Sequence, residues 1–453
     1  MLMSASPVDS EILGSLFGTD EMRAIFSDRA QLSAMLEVEA ALARAQASVG
    51  MVPREAADRI TAAATIKNLS LEKIAASTRT VGYPVVELIA ELGAACGDDA
   101  ARYIHLGATT QDIVDTALVL QMRRGLAAIR RDVIATAQAL AGQARRYRDT
   151  PMAARTHLQH AVPTTFGLKC ATWAAPLPVH VERLDQVSSR VMVVQFGGAA
   201  GTLAALGENG LAVASALARE LDLGAPDLPW HVTRDSVAET AGILALICGS
   251  LSKFASDVVL LSQTEVAEIS EPHTSRTGIS STMPQKRNPI LSEYIIAASR
   301  GVHAAVPIML SAMTQEHERA TGAWQSESLA IPQVFTLTAG ALARAVNLAA
   351  GMIADPERMR RNLDATRGMI MAEAIVAALS PSMGRAAAHH AVSRACDLAV
   401  AEDLPLIEAV TRNLELASRL SSETIQRALD PSAHLGAAGG FVDRVVTRIA
   451  ALN

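Results

Sequence analysis

The sequence predicts an all-α protein. Half of its 453 residues are hydrophobic but only 3% are aromatic, so the apolar side chains are mainly small or aliphatic, as in closely packed long helices. Several stretches with a helical pattern exceed about 25 residues, which is longer than ordinary globular helices. No comparably long stretch shows the alternation of apolar and polar residues that is typical of strands.

Glycine and proline divide the chain into three parts. The first part, residues 1–111, contains a predicted amphipathic helix over Asp28–Ser48, in which Glu39 is the one polar residue on an apolar face. A break at Gly50–Pro53 and further short helices follow. We therefore predict an N-terminal helical domain over residues 1–111.

The second part, residues 112–354, contains the long helices. They are predicted over 112–147, 163–194 with a break at Pro176 and Pro178, 235–269 with Asp235 as N-cap, 289–313 and 324–350. Such long helices, apolar on more than one face, should pack on each other and on copies from other chains. The Gly197–Gly201 run is interpreted as a bend between two of them. The third part, residues 355–453, is predicted as a C-terminal domain of short helices.

Composition excludes several classes of partner. A net charge of -6 gives no preference for nucleic acid or an anionic membrane. The N-terminus lacks a signal-peptide pattern, and the most apolar stretch, Ala241–Leu251, is too short to span a bilayer and is interpreted as a buried helix. The cysteines have neither metal-ligand nor redox spacing, which predicts free thiols in a cytoplasmic protein: Cys96, Cys170, Cys248 and Cys396.

One segment combines the residues needed for chemistry on an anion. Gly278–Glu293 reads GISSTMPQKRNPILSE, a polar loop that leads into a predicted helix with Asn288 as N-cap and Pro289 in its first turn. Backbone N–H groups and cations near a helix N-terminus form an anion site, and the same surroundings would stabilise a serine alkoxide. From composition alone, a solvated polar loop is an equally good interpretation.

This segment resembles the signature GSSxMPxKxNxxxxE of the fumarase/aspartase superfamily. The matching positions are Ser280, Ser281, Met283, Pro284, Lys286, Asn288 and Glu293. Two further segments occur in the superfamily's order: Tyr103–Ala117 resembles H-x-G-x-T-S-x-D, and Arg155–Lys169 resembles T-H-x-Q-x-A-x-P-T-T. The resemblance extends over about residues 25–435.

The resemblance implies a fold and a type of reaction. Members of the superfamily have three helical domains and form homotetramers around a central bundle of twenty helices, and each active site takes its three segments from three subunits. They remove a proton next to a carboxylate, pass through an aci-carboxylate intermediate, and use no metal or organic cofactor. The expected partners are therefore a small polycarboxylate substrate and other copies of the chain, with no nucleic acid and no membrane.

The resemblance also implies roles for individual residues. Ser280 is the expected base, His157 is the acid on the leaving-group side with Glu293 as its orienting carboxylate, and Lys286 stabilises the doubly charged intermediate. The remaining positions are expected to bind substrate: His105, Thr109, Thr110, Gln111, Arg155, Thr156, Gln159, Ser281, Met283 and Asn288.

The sequence leaves the reaction open among related alternatives. Because His157 and Glu293 are both present, we predict β-elimination, or the reverse addition, on a succinyl-amine or similar dicarboxylate adduct, with release of fumarate. Outside the motifs the chain resembles bacterial 3-carboxy-cis,cis-muconate cycloisomerases, which close a lactone in aromatic-acid catabolism, and this is the alternative. Adenylosuccinate lyase is disfavoured because Tyr294 replaces a phosphate-binding arginine. A non-catalytic structural homologue is disfavoured by the intact catalytic positions.

Overall fold

The computed structural model describes residues 6–273 and 278–452 and is 69% helical. In chain order the α-helices are α1 (Gly14–Phe17), α2 (Asp20–Ile25), α3 (Asp28–Ser48), α4 (Arg54–Ala63), α5 (Leu71–Val81), α6 (Val85–Cys96), α7 (Asp98–Ala101), α8 (Thr110–Arg146), α9 (Phe166–Ala174), α10 (Leu177–Val191), α11 (Gly210–Glu220), α12 (Asp235–Leu261), α13 (Ile290–Ala312), α14 (Ala323–Gly351), α15 (Pro356–Asp364), α16 (Ala372–Met383), α17 (Arg385–Ala401), α18 (Leu406–Arg412), α19 (Leu414–Ala417), α20 (Ser422–Ala428) and α21 (Ala438–Ala450).

The strands of the described residues are short and form two antiparallel pairs. One pair is β1 (Pro151–Thr156) with β2 (Gln159–Thr165), and the other is β3 (Ile269–Ser270) with β4 (Ile353–Ala354). The all-α fold class is thus confirmed, with one hairpin that the sequence analysis did not predict.

The predicted long helices are confirmed within a few residues, with two corrections. The helix predicted from residue 163 starts at Phe166, because the preceding residues form β2, and it is interrupted before α10 in the region of Pro176 and Pro178 as expected. The helix predicted to reach residue 269 ends at Leu261. Beyond it the chain turns, and the backbone N–H of Asp355 donates to the carbonyl of Glu268 at 2.9 Å beside the β3–β4 pair.

By contacts, the chain divides into two units, and the three-domain division remains a prediction. The first comprises the described residues within Met1–Val133, His180–Gly249 and Ala297–Ala343. Its core includes the buried face of α3, which packs on α4 and α11. The hydroxyl of Ser27 caps α3 by accepting from the backbone N–H of Ala30. The conformation of residues 28–48 therefore follows from local capping and one buried face.

The second unit comprises the described residues within Ile134–Val179, Ser250–Ile296 and Arg344–Asn453. Its α16–α17 pair encloses a cluster of small and aliphatic side chains, including Ile375 and Val392. The β1–β2 hairpin packs on α15, with Met152 and Ala153 fully buried. This packing fixes the base of the hairpin and leaves its turn at the surface.

Three of the long helices carry more apolar surface than the single chain covers. Among the described residues, α12, α13 and α14 are long and apolar enough to cross a membrane by length and composition alone. The stretch Ala241–Leu251, interpreted as a buried helix and too short to span a bilayer, is the middle of the 27-residue α12. Large side chains on these helices remain exposed, including Leu246, Leu310 and Leu329 at 52%, 57% and 71%.

Candidate active site

The first predicted segment forms the start of α8. Asp112 lies three residues after Thr109, and its carboxylate accepts a hydrogen bond from the Thr109 backbone N–H at 3.0 Å, which holds the turn before the helix. The same buried carboxylate accepts from the backbone N–H groups of Gly197 and Gly198 at 2.9 Å each, and lies 2.7 Å from Nε2 of His231. One carboxylate therefore joins the predicted substrate turn to the Gly197–Gly201 bend.

Both the nitrogen and the oxygen of the Gln111 side-chain amide form hydrogen bonds. Its Nε2 donates to Oδ2 of Asp115 at 3.0 Å and to the carbonyl of His231 at 2.9 Å. Its Oε1 accepts from Arg319 at 2.6 Å, and the same guanidinium donates to the carbonyl of Ala199 at 2.7 Å. Because Gln111 is only 1% exposed, it acts here as the support of Arg319.

A buried ion network lies next to this turn. Arg234 donates to Asp115 at 2.7 and 3.1 Å and to Glu327 at 2.8 and 2.5 Å, and all three side chains are almost fully buried. The indole N–H of Trp324 also donates to Asp115 at 2.9 Å. Burial raises the pKa of the Glu327 carboxyl, and the adjacent Arg234 guanidinium opposes that rise. The network therefore fixes Asp115, the carboxylate to which the Gln111 amide donates.

His105 adopts a left-handed backbone conformation with φ of 57°. Its Nδ1 lies 2.7 Å from Oε1 of Glu39, and its backbone N–H donates to Oε2 of Glu39 at 3.2 Å. Glu39 is thus the buried partner of a predicted site residue. In the sequence, Glu39 is distinguished only as a polar residue on the apolar face of α3.

The second predicted segment is the β1–β2 hairpin. Thr156 pairs with Gln159, so His157 and Leu158 form a two-residue turn, with φ of 50° and 63°. The positive φ at both positions is the type I′ pattern, which favours asparagine and glycine. His157 is therefore displayed at the tip of a hairpin, exposed to solvent in the single chain.

Arg155 anchors this hairpin. Its guanidinium donates two hydrogen bonds to the fully buried Glu268, at 2.9 and 2.7 Å, and Asn362 donates to the same carboxylate at 2.8 Å. Next to this pair, Nδ1 of His160 is buried without a hydrogen-bond partner among the described residues. Burial and the charge of Arg155 lower the pKa of His160, so its neutral form is favoured.

The third segment is a closed loop that carries Ser280. The backbone N–H of Asn288 donates to the carbonyl of Gly278 at 2.8 Å, and Ile279 and Arg287 form a bridge just inside it. Gly278 has φ of 66°, and a Cβ there would lie 2.5 Å from the carbonyl oxygen of Asn288, so glycine is required.

Within this loop, the Ser280 hydroxyl oxygen accepts two hydrogen bonds from the backbone. Its Oγ accepts from the N–H of Thr282 at 3.2 Å and from the N–H of Met283 at 3.0 Å. Two donors directed at one oxygen favour its anionic form. Lys286 is exposed and forms no ion pair within the described ranges, so its charge is available to a ligand. Ser281 and Met283 are exposed as well.

The cap of α13 differs from the prediction. Asn288 was expected to cap the helix, but the carboxylate of Glu271 does so, accepting from the N–H groups of Leu291 and Ser292 at 2.9 and 2.7 Å and from the Ser292 hydroxyl at 2.6 Å. The helix starts after Pro289, so the Asn288 side chain is one residue too early to cap it.

The predicted acid–carboxylate pair is not formed within one chain. Glu293 lies exposed in the first turn of α13, and within residues 6–273 and 278–452 it forms neither a hydrogen bond nor an ion pair with His157. No group of three or more His, Cys, Asp or Glu residues in those ranges is placed to hold a metal. Within one chain, the exposed His157 of the hairpin turn and the exposed Glu293 therefore form no pair.

Comparison with known proteins identifies the family. The profile of the family described as "Lyase" matches residues 17–304, and that described as "Adenylosuccinate lyase C-terminus" matches residues 368–445. The chain belongs to the fumarase/aspartase superfamily. It is similar to a 3-carboxy-cis,cis-muconate cycloisomerase of Pseudomonas aeruginosa, at 45% identity over 100% of this chain and 99% of the relative.

Two further members of the superfamily bear on the reaction. The crystal structure of 3-carboxy-cis,cis-muconate lactonizing enzyme from Pseudomonas putida is matched with a TM-score of 0.92 at 42% identity, over 97% of this chain and 99% of that one. A nitrosuccinate lyase of Streptomyces davaonensis is 40% identical over 98% of this chain and 95% of its own length. The superfamily members similar to this chain thus include both a lactonising and an eliminating enzyme.

Proposed function

We propose that this protein is a cycloisomerase that lactonises 3-carboxy-cis,cis-muconate or a close analogue, with Ser280 as the proton-transferring residue. The observation that carries the proposal is the pair of backbone N–H groups donated to Oγ of Ser280. Full-length similarity to lactonising enzymes supports the substrate. It favours this reaction over the fumarate-releasing elimination that the motifs alone led us to predict.

The lactonisation is an isomerisation between the free acids, and between the anions present at neutral pH it takes up one proton from solvent. A carboxylate oxygen of the substrate adds to one carbon of a conjugated double bond, which forms the C–O bond of the lactone. The electron pair moves into the conjugated carboxylate, which becomes an aci-carboxylate. Ser280 then delivers its proton to the carbon next to that carboxylate, and the resulting alkoxide regains a proton from solvent before the next turnover. In the reverse reaction the alkoxide removes the proton from that carbon. The backbone N–H groups of Thr282 and Met283 stabilise the Ser280 alkoxide while its proton is on the substrate carbon.

We also propose a homotetramer in which three chains contribute to each site. The exposed apolar side chains of α12, α13 and α14 support an assembly through these helices. The exposure of His157, Glu293 and Lys286 in one chain supports a site completed by other copies. In this arrangement Thr109, Thr110, Thr156 and Gln159 meet the substrate carboxylates across chains.

Elimination with release of fumarate is a second candidate. It is favoured by the presence of both His157 and Glu293, because an amine leaving group needs a proton, whereas a carboxylate nucleophile does not. The similarity to a nitrosuccinate lyase supports it as well.

The experiment that separates the two candidates is a substrate panel. Purified protein is incubated with 3-carboxy-cis,cis-muconate, nitrosuccinate and N-substituted aspartates, and products are followed by ultraviolet absorbance and by proton NMR. We expect consumption of the muconate with formation of a lactone. Formation of fumarate from a succinyl adduct, with the muconate unchanged, would replace the first proposal by the second.

A further inference from the structure

Glu268 is a fully buried carboxylate that none of the predicted roles includes. It lies between α12 and β3, and its side chain is 0% exposed. Its two oxygens accept hydrogen bonds from the Arg155 guanidinium at 2.9 and 2.7 Å, and Oε1 also accepts from the Asn362 amide at 2.8 Å. A buried ion pair often stabilises a fold no better than apolar side chains of the same volume would. Stability alone therefore does not explain why an ion pair occupies this place.

The backbone that carries Glu268 is held in one conformation. The preceding residue, Ala267, has a left-handed φ of 51°, which a residue with a Cβ keeps only where its surroundings impose it. From α15, Arg358 and Asn362 both donate to the carbonyl of Val266, at 2.9 and 2.8 Å. The carboxylate of Glu268 is therefore a fixed point on the body of the second unit, to which the hairpin is bound.

The pairing of β1 with β2 determines which side chains point away from Glu268. Arg155 lies opposite His160 in this register. The next pair toward the turn is Thr156 with Gln159. Because successive side chains of a strand point to opposite faces of a sheet, the two pairs lie on different faces of the hairpin. The face of Arg155 is the inner one, which contacts Glu268, and Nδ1 of His160 is buried as well. Thr156 and Gln159 are exposed on the outer face.

We propose that Glu268 is a positioning residue that turns the outer face of the hairpin, with Thr156 and Gln159, toward the substrate. It acts through Arg155, whose guanidinium it holds on the inner face. Arg155 accordingly supports the hairpin and does not itself bind a substrate carboxylate. The polycarboxylate nature of the substrate rests on the proposed function. The role of Glu268 is geometric, and it takes no part in bond making.

The first test compares Glu268→Gln with Asp443→Asn. Each change replaces by its amide a carboxylate that binds an arginine through two hydrogen bonds. Asp443 is exposed and binds Arg148, three residues before β1, at 2.9 and 2.8 Å. With the substrate that the panel identifies, we expect Glu268→Gln to raise KM about tenfold and Asp443→Asn to leave KM within about twofold of the wild type. An unchanged KM in folded Glu268→Gln would overturn the proposal.

A double-variant cycle tests whether Glu268 acts through the outer face of the hairpin. Gln159→Ala should raise KM about fivefold in the wild-type protein and in Asp443→Asn, because a hydrogen bond to the substrate is lost. In Glu268→Gln the side chain of Gln159 no longer faces the substrate, so the same change should raise KM by less than about twofold. A general loss of stability would leave the effect of Gln159→Ala intact, and additive effects would therefore overturn the proposal.

The second test needs no substrate. Hydrogen exchange is followed by mass spectrometry in the hairpin, residues 151–165, with α16 and α17 of the same unit as the internal reference. In Glu268→Gln we expect the hairpin amides to exchange at least roughly tenfold faster, while the reference helices keep their wild-type rates. Unchanged exchange in the hairpin, or an equal acceleration in both regions, would show that Glu268 does not hold the hairpin specifically and would overturn the proposal.

The outcomes separate this inference from the proposed function. Faster exchange confined to the hairpin of Glu268→Gln, in a protein that turns over neither candidate substrate, would support the positioning by Glu268 while contradicting the proposed reaction. If Glu268→Gln does not fold, the combined change Arg155→Gln with Glu268→Gln leaves no unpaired buried charge and provides both measurements. It should show the same faster exchange in the hairpin and the same loss of the Gln159→Ala effect. Wild-type exchange and wild-type KM in the combined variant would contradict the proposal.

Discussion

The carboxylate of Glu271 holds Ser292 by two hydrogen bonds, at 2.7 Å to its backbone nitrogen and at 2.6 Å to its hydroxyl. Glu271 precedes the Ser280 loop in the sequence and Ser292 follows it, so a single buried carboxylate joins a residue before the loop to one after it. The start of α13, directly after the Ser280 loop, is therefore held by Glu271, whereas residues 281–287 of the loop are exposed.

Removal of the Glu271 charge should loosen this anchor. In Glu271→Gln we expect kcat to fall about tenfold and the free energy of unfolding to fall by about 1–3 kcal/mol, because a charged acceptor at a helix N-terminus is lost. Steady-state kinetics and urea unfolding measure the two effects. Glu265→Gln, an exposed carboxylate on the same connection, is the control. Wild-type kcat in Glu271→Gln would contradict a role in holding the loop.

Ser280→Ala tests the proposed base. Proton transfer should fall by roughly a thousandfold or more while substrate binding is retained, since the carboxylates are held by other residues. Exchange of solvent deuterium into substrate or product should disappear as well. The matched control is Thr282→Ala, which keeps the backbone N–H that donates to Oγ of Ser280. Turnover within about tenfold of the wild type would move the base to another residue, with His160 and His105 as the next candidates.

His157→Asn separates the two candidate reactions. Lactonisation uses a carboxylate as nucleophile, which needs no proton from the enzyme, so kcat should fall by less than about tenfold. Elimination of an amine needs that proton, and the same change should then lower kcat by roughly a hundredfold or more. Glu293→Gln should follow the same pattern in either case. If His157→Asn and Glu293→Gln changed kcat to clearly different extents, the proposed pairing of His157 with Glu293 would be contradicted.

Mixed tetramers test whether sites are shared. Chains with Ser280→Ala and chains with Thr109→Ala and Thr110→Ala should each be nearly inactive at limiting substrate concentration. After co-refolding, roughly a quarter of the sites should combine wild-type segments from different chains, and activity should return to about that level. Hybrids verified by native mass spectrometry that show no recovery would place all segments of a site on one chain.

Acid should destabilise the first unit through His180. Burial, with the charge of Arg183 as a smaller cause, lowers the pKa of His180 to about 4, and Nδ1 of the neutral ring accepts from Arg183 at 3.2 Å. As the pH falls from about 6.5 to 4, the unfolded chain binds a proton there that the folded chain does not, so stability is lost over this range. We expect about 2 kcal/mol of that loss to be absent in His180→Gln. Identical acid dependence of the urea midpoint in both proteins would contradict this.

Local signals account for what the sequence predicted well. Helix α3 was predicted to the residue, because its apolar face and the Ser27 cap lie within or directly beside the segment itself. The Ser280 loop was recognised because its residues are contiguous. The β1–β2 hairpin was missed, because its two short strands carry no clear alternation and one lies in a run with a helical pattern.

Long-range partners could not be predicted in this way. Asp115 and Glu327 both pair with Arg234, although they lie 119 and 93 residues from it in the sequence. Glu39 pairs with His105, which is 66 residues away. Each partner alone looks like an ordinary charged residue on a helix. The polar residue at position 39 on an apolar face was the one visible signal, and its meaning depended on the fold.

The turn at His157 and Leu158 has a consequence for laboratory evolution of this enzyme. Leu158 has a positive φ and is 71% exposed, so glycine or asparagine there would relieve strain of about 1 kcal/mol and remove an apolar side chain from water. A selection for soluble expression would therefore enrich such replacements. In the proposed tetramer, a selection for turnover acts instead on how firmly the hairpin tip is presented to a neighbouring chain. The two selections therefore act on different properties of the residue at position 158.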